Sequence, residues 1–353
     1  MKKIYLIDEN TDLTQLKFSK DDILYSIDIK TYVLLKRGDL NVFYLGSLLN
    51  AKGHIYIAKN TMKYINLIKN FTYKNPNNLQ KTYFINLERK LYFFLSNYFY
   101  INFVYQKFLK KYKKKYKIIN LLKNNFDPNI EINNNNNLFK YFFLNKKKIK
   151  YEKFNYNKKI YFFKKSLLSL IFVLTPKNYL GILPDDKNLK KFVIKQKNKY
   201  KFNSIIFFNS NRINYLKKIF YYLFPIYKIS ENLFLDYRKD INLNSQLNNI
   251  LNDKNFSLIK DKKLSYLLKI YFNNYLLKYL YSLSSKSINL YNFLKNKKPK
   301  LIIAKRSNDL AYSIGETSKK LNFDSILISH ASHIYNKNKL SMFDWIINSK
   351  STI

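Results

Sequence analysis

Short apolar runs recur near the start of the chain, and polar turns or amphipathic stretches follow them. Lys3–Ile7, Asn41–Leu45 and His54–Ala58 have the length and character of buried strands. Apolar residues at helical spacing predict helices over Ile23–Lys36 and Thr61–Lys69. Because strands and helices alternate, this pattern predicts a doubly wound sheet whose strands are mostly parallel. We assign residues 1–77 to its first part.

The pattern changes in residues 78–200, which we predict to be a large helical insertion rich in Lys, Tyr and Phe. Leu79–Leu122 predicts long helices, and Asn133–Asn137 a low-complexity loop. Lys177–Tyr200 is typical of a loop, since Gly181 and Pro184 are turn residues.

Alternation resumes in residues 201–353, which we assign to the second part of the same sheet. Ser204–Phe208 predicts a strand, and Pro225–Ile229 a shorter one. A long helix over Leu264–Lys295 then leads to Pro299.

Residues 299–333 predict one strand-helix-strand unit. Lys300–Ala304 and Ser325–Ser329 are the apolar strands, and Asn322 ends the helix between them. A right-handed crossover would place both strands parallel in one sheet. Ligands bind outside the carboxyl ends of such strands, and His330 directly follows the second one.

A neutral imidazole at that position could hydrogen-bond a sugar hydroxyl or a pyrophosphate oxygen, or remove a proton, so His330 is our catalytic candidate. The alternative is a histidine that only ties one loop to the next. Arg306 follows the first strand, and its guanidinium could bind phosphate at two points unless it is an ordinary surface arginine. The substrate-binding candidates at the predicted edge are Glu9, Asn10, Arg306, Asn308, Ser329, Ser332 and His333.

The acidic loop after the first strand joins this group because both strands would share one sheet edge. Glu9 or Asp8 would contact a sugar hydroxyl or act as a base. The alternative is a solvated turn that caps the next helix.

The formal charge is +43, from 65 Lys and Arg against 22 Asp and Glu. Such a charge indicates a polyanionic partner, either nucleic acid or an anionic membrane. Enrichment in Lys, Asn, Ile, Tyr and Phe has a second explanation, the bias of an AT-rich coding sequence. The densest basic block, Lys107–Lys117, is either a surface for anionic lipid or a solvated helix face with Phe108, Tyr112 and Tyr116 turned inward.

Several classes of site are excluded or disfavoured by composition. Cysteine is absent, which excludes disulfides and thiolate metal sites. Five glycines cannot form a Walker loop or a dinucleotide fingerprint. We predict no metal and no cofactor. No apolar run reaches the ~20 residues that cross a bilayer, and we predict a cytoplasmic chain, peripheral at most to the inner face of the membrane.

The segments Lys298–Ile303 and Ser325–His330 resemble the corresponding segments of bacterial glycosyltransferases of the two-Rossmann-domain (GT-B) type. These enzymes build capsules and other surface polysaccharides. Those proteins carry a Lys-Pro-apolar strand, a helix, and a strand that ends in a His-Gly pair. Ala331 stands here at the place of that glycine. The resemblance implies a Rossmann-like sheet that corresponds to the N-terminal, acceptor-side half of such an enzyme.

The resemblance also implies a function: transfer of a sugar from a nucleotide-activated donor to a surface polysaccharide or lipid-linked glycan. In that family a donor-binding domain follows the His-Gly strand, and 20 residues follow His333 here. We therefore expect a truncated product, or a donor half on another polypeptide, and a chain that is inactive alone. The alternative from another class is a basic nucleic-acid-binding or ribonucleoprotein component without enzymatic activity.

Overall fold

The computed structural model describes residues 2–14, 18–19, 21–38, 40–72, 78–122, 135–143, 177, 179–183, 204–209, 226–230, 258–305, 310–329 and 345–348. The chain divides into two compact units. Unit 1 comprises residues 1–72, 88–153 and 249–277, and unit 2 comprises residues 73–87, 154–248 and 278–353.

Unit 1 contains a sheet of four parallel strands, sheet A. Its strands are β1 Lys3–Ile7, β2 Ile23–Ser26, β3 Val42–Tyr44 and β4 Lys117–Asn120. They lie in the order β3-β2-β1-β4 and are all parallel.

Unit 1 also contains helices, and the first and third of them cover opposite faces of sheet A. They are α1 Ile29–Leu35, a 3-10 turn Leu45–Leu48, α2 Ala51–Thr72, residues 88–112 of α3 Asn78–Tyr112, α4 Asn135–Phe143, and α5 Lys262–Tyr271 with its π-helical continuation Phe272–Leu276. Tyr32 and Leu35 of α1 pack on the face formed by Tyr5, Ile7 and Leu24. On the other face, Tyr25 contacts Phe108 and Tyr112 of α3.

Unit 2 contains a sheet of six parallel strands, sheet B. Its strands are β5 Tyr179–Leu183, β6 Ser204–Asn209, β7 Ile226–Ser230, β8 Leu301–Lys305, β9 Asp324–Ser329 and β10 Trp345–Asn348. They lie in the order β10-β9-β8-β5-β6-β7. In chain order this is 6-5-4-1-2-3, the doubly wound order of a Rossmann-type sheet seen from its other side.

Helices α6 Leu277–Asn296 and α7 Leu310–Leu321 pack on one face of sheet B. Phe293, Ile302 and Ile314 belong to this buried cluster, while Leu180 and Ile205 belong to a cluster on the other face. Buried side chains on both faces explain why these strands are nearly continuous apolar runs.

The predicted α/β class with mostly parallel strands is confirmed. The strand-helix-strand unit is confirmed as well, since β8 and β9 pair in parallel on either side of α7 in the chain. Asn322 ends α7 with a φ of 54°, and Phe323 N donates to Ser318 O at 3.2 Å beyond it. This is the left-handed helix end that asparagine tolerates.

The expectation of one sheet for the two ends of the chain is wrong. β1 to β4 form sheet A by themselves, and β8 and β9 belong to sheet B. Two strands arise within the predicted helical insertion: β4, in a segment predicted to be helical, and β5, in a segment predicted to be a loop. β4 completes sheet A beside β1, and β5 lies between β6 and β8.

Three local predictions near the N-terminus and in the insertion are also wrong. His54–Ala58 lies within α2, because Asn50 Oδ1 accepts from Gly53 N at 3.0 Å and begins a helix before the apolar run. Ile23–Ser26 is the strand β2, and the helix begins only after Asp28, whose side chain accepts from Thr31 N. Asn135–Asn137, placed in a loop, begins α4.

Candidate functional site

The carboxyl ends of all six strands of sheet B meet at one edge, because the strands are parallel. Along this edge lie the last strand residues Leu183, Asn209, Ser230, Lys305, Ser329 and Asn348. Five of the six are polar, in strands that are otherwise largely apolar. This edge is therefore the candidate site of unit 2.

The topological switch point of sheet B lies between β5 and β8. From β5 the chain proceeds to β6 on one side, whereas β8 leads to β9 on the other. In doubly wound sheets, ligands bind at such a point, in the crevice outside the carboxyl ends of the strands. Leu183 pairs with Ala304 in register, so Lys305 extends one residue farther than β5.

Gly181 of β5 is closely packed by side chains of the two neighbouring strands, β6 and β8. A Cβ atom on Gly181 would lie 3.0 Å from Ile302 Cγ1 and 3.2 Å from Phe208 Cε2. Because glycine has no side chain, bulky side chains of the two strands beside β5 can lie directly over residue 181. Sequence reasoning assigned Gly181 to a turn, because a single glycine carries no mark of such packing.

Most of the predicted site residues lie outside the described residues: Arg306, Asn308, His330, Ser332 and His333. Their roles stay predictions. Ser329 is the last residue of β9, so His330 comes next in the chain. Arg306 in the same way follows Lys305, the last residue of β8.

Glu9 and Asn10 do not share this edge, contrary to expectation. They follow β1, which belongs to sheet A in unit 1. Glu9 is exposed and forms an ion pair with Lys30, with 3.9 Å between Oε2 and Nζ. Asn10 N donates to Asp8 Oδ1 at 3.1 Å. The physical reason is that β4 pairs with β1 on the side that a strand from residues 201–353 would have had to occupy.

Asp8 is the centre of a buried network at the carboxyl edge of sheet A. Its Oδ1 accepts from Thr11 Oγ1 at 3.0 Å, and its backbone N donates to the same hydroxyl at 2.9 Å. Lys140 Nζ of α4 lies 3.0 Å from Asp8 Oδ2, with side chains 12% and 2% exposed respectively. Asp8 Oδ2 has no hydrogen-bond partner among the described residues, so this contact is an ion pair held by charge.

This network spans the switch point of sheet A, which lies between β1 and β4. Thr11 Oγ1 is 3.2 Å from the carbonyl oxygen of Leu121, which follows β4. The loop after β1 is thus tied across the gap between the two strands. The alternative of a solvated turn that caps the next helix does not describe Asp8, because its side chain is buried and the next element is the strand β2. Sequence reasoning missed Lys140, because nothing local connects residues 8 and 140.

Asp28 is a second buried carboxylate at this edge that sequence reasoning missed. It follows β2, and its Oδ1 accepts from Thr31 N at 2.7 Å as the cap of α1. Its Oδ2 has no hydrogen-bond partner among the described residues. The signal in the sequence was an aspartate just before Ile29, but the predicted helix had already begun at Ile23.

In the basic block Lys107–Lys117, the aromatic side chains face inward and most of the lysines face solvent. Phe108 and Tyr112 are buried and Tyr116 is half-buried, which confirms the inward orientation proposed for these rings. Tyr112 and Tyr25 share a hydrogen bond of 2.7 Å between their hydroxyls, and burial raises the pKa of Tyr25 far above its ordinary value. The lysines beyond Lys107 are exposed.

The described residues contain no group of three His, Asp or Glu side chains that could hold a metal ion. No described helix is both long enough and apolar enough to cross a bilayer. Comparisons with protein-family models, with curated proteins and with solved structures found no match to this chain.

Proposed function

We propose that the chain is a glycosyltransferase, or the acceptor-side half of one. It would transfer a sugar from a nucleotide-activated donor to a surface polysaccharide or to a lipid-linked glycan. The observation that carries the proposal is the switch point between β5 and β8 of sheet B, with β9 beside it ending one residue before His330. Open parallel sheets bind nucleotide and sugar ligands at such a crevice.

The chemistry of this edge suits a sugar phosphate. By residue type this edge has a cation, a hydroxyl and an amide: Lys305 is the last residue of β8, and Ser329 and Asn348 are paired in register at the ends of β9 and β10. Such groups bind sugar hydroxyls and phosphate oxygens. A histidine next in the chain after Ser329 could take the proton of an acceptor hydroxyl. We further propose that the reaction takes place at the cytoplasmic face of the membrane, where a lipid-linked acceptor is reached without crossing it.

Two measurements on the full chain test the proposal. Release of nucleoside diphosphate is measured from a panel of UDP-, GDP- and dTDP-sugars, with the full chain and a membrane extract as acceptor source. Binding of the same nucleotide sugars is followed by ligand-observed NMR, which needs no turnover.

His330→Ala is expected to lower turnover by about 10²–10⁴-fold, the usual contribution of a general base. The matched control is His54→Ala, since His54 is exposed on α2 of unit 1. Equal activity of the two variants would remove His330 from the mechanism. Absence of both binding and release with every nucleotide sugar would refute nucleotide-sugar transfer by this chain.

The nucleic-acid alternative has less support. Binding of single strands relies on exposed aromatic rings that stack with bases. Phe108 and Tyr112 within the basic block are instead buried. Retention of RNA that added salt abolishes, together with no nucleotide-sugar binding, would favour this alternative.

A further inference from the structure

Positively charged residues cluster at the end of sheet A where its strands begin. The parallel strands begin at this end, and α1 and α3, which return along the sheet, finish at it. The cations placed there are Lys2, Lys3, Lys36, Arg37, Lys113, Lys114, Lys115 and Lys117. Lys3 and Lys117 are direct neighbours in register on β1 and β4. We call this set the basic edge.

The basic edge is poorly neutralised. Its only carboxylates in the described part of the chain are Asp21 and Asp22, just before β2. Asp21 Oδ2 lies 3.6 Å from Lys2 Nζ, and Asp22 accepts from the backbone N atoms of Lys3 and Ser19. No described carboxylate forms an ion pair with any other cation of the set. The surplus charge is thus available to a partner.

Exposed apolar side chains lie among these cations. Leu34 and Leu40 are 58% and 38% exposed, and they flank Lys36 and Arg37 in the chain. Val33, one residue before Leu34, is exposed as well. Phosphates of a nucleic acid would offer these side chains nothing, whereas the acyl boundary of a bilayer would bury them.

We propose that the basic edge docks unit 1 on a bilayer that contains anionic lipids. The lysines and Arg37 would contact lipid phosphates, while Leu34 and Leu40 would enter the headgroup region. Clusters of four to eight Lys and Arg on a surface are sufficient for such attraction. Flexible lysines suit a plane of many phosphates better than a single phosphate, which arginine binds bidentately.

This docking surface is distinct from any ligand site at the carboxyl ends of sheet A. The basic edge lies at the opposite ends of the same strands. Contact with lipid there would therefore not cover the carboxyl ends of the strands, where Asp8 and Asp28 lie. The inference goes beyond the proposed function and does not depend on it, because lipid binding is measured without turnover.

The test is co-sedimentation of the full chain with vesicles. Vesicles of phosphatidylcholine with about a third phosphatidylglycerol are expected to bind the chain, and pure phosphatidylcholine vesicles are expected not to. Lys113→Gln/Lys114→Gln/Lys115→Gln should lower partitioning on the order of 100-fold, since each lysine near an anionic surface strengthens binding about fivefold. Raising the salt concentration should weaken the wild-type interaction, because the contact is screened.

The matched control is Lys295→Gln/Lys298→Gln/Lys300→Gln, which removes the same number of exposed lysines from unit 2. It should bind like wild type. A second variant, Leu34→Ser/Leu40→Ser, keeps every charge and should lower partitioning on the order of tenfold through loss of apolar burial. Far-UV circular dichroism verifies that each variant folds.

Three outcomes would overturn the inference. Equal binding to both kinds of vesicle would remove the electrostatic basis. Equal losses in the two lysine variants would show a general effect of charge and not a surface. Retention of duplex RNA through Lys113–Lys115, with no vesicle binding, would assign the basic edge to nucleic acid.

Discussion

Lys140→Met should destabilise sheet A, because it leaves the buried carboxylate of Asp8 without its counter-charge. Two unit charges 3.0 Å apart attract by about 5.5 kcal/mol at an effective dielectric constant of about 20. Desolvation of both groups offsets much of that attraction in the native pair. Removal of one partner of a buried pair nevertheless costs about 3–5 kcal/mol, because the other charge stays buried. Methionine keeps most of the apolar stem, so the change isolates the charge.

The effect should be local to the junction of β1 and β4. The measurement is native-state amide hydrogen exchange at Leu121, whose N–H donates to Leu6 O at 3.0 Å. A loss of 3 kcal/mol corresponds to exchange faster on the order of 100-fold. The matched control is Lys30→Met, which breaks an exposed ion pair with Glu9 in the same loop and should change exchange by less than about threefold.

The second arm is the double variant Asp8→Asn/Lys140→Met. It removes both charges, while the side chain of residue 8 can still accept from Asn10 N and Thr11. We expect it to recover about 2 kcal/mol relative to Lys140→Met, a coupling energy typical of residues in direct contact. If Lys140→Met changed exchange as little as Lys30→Met does, the buried network would not stabilise the loop. A stable Asp8→Asn variant that loses activity would instead make Asp8 a functional carboxylate.

The remaining predictions concern acid stability and the end of α7. A hydrogen bond from Ser19 N lowers the pKa of the Asp22 carboxyl group. The Asp22 carboxylate therefore stabilises the fold above about pH 4, the ordinary pKa of aspartate. This stabilisation is lost as the pH falls through the lowered pKa. Asp22→Asn should therefore lower the free energy of unfolding by about 1–2 kcal/mol at pH 7 and by little in strong acid. Urea denaturation at both pH values measures this difference, and an equal loss at both would contradict the prediction. At Asn322, with its φ of 54°, Asn322→Ala should cost about 1 kcal/mol, while Asn322→Gly should be neutral or stabilising in thermal unfolding; equal effects would contradict the backbone argument.

Local sequence patterns were sufficient to predict the β8-α7-β9 unit. Its strand positions, its connecting helix and the asparagine that ends that helix follow from residues within about 30 positions of one another. Neighbouring polar positions fix the turns, and the apolar runs fix the buried strands, so no distant contact is needed. β1, β3 and β6 were predictable for the same reason.

The candidate site was predictable only in outline. The carboxyl ends of β8 and β9 lie at one edge, as the pattern indicated. The grouping of Glu9 with that edge failed, because it required knowledge of which strand pairs with β1. The Asp8–Lys140 pair could not be foreseen either, since it joins positions 132 residues apart that only packing brings together.

The sequence by itself determined the α/β class and the local elements with strong periodicity, because these depend on the alternation of apolar and polar side chains over short spans. Tertiary structure alone decided that the strands form two sheets. β4 is Lys117–Asn120 at the end of a lysine-rich stretch, and β5 is a glycine-containing segment that resembles a turn. Each becomes a strand because the backbone hydrogen bonds of its neighbours need a partner there, a requirement that the segment's own residues do not encode.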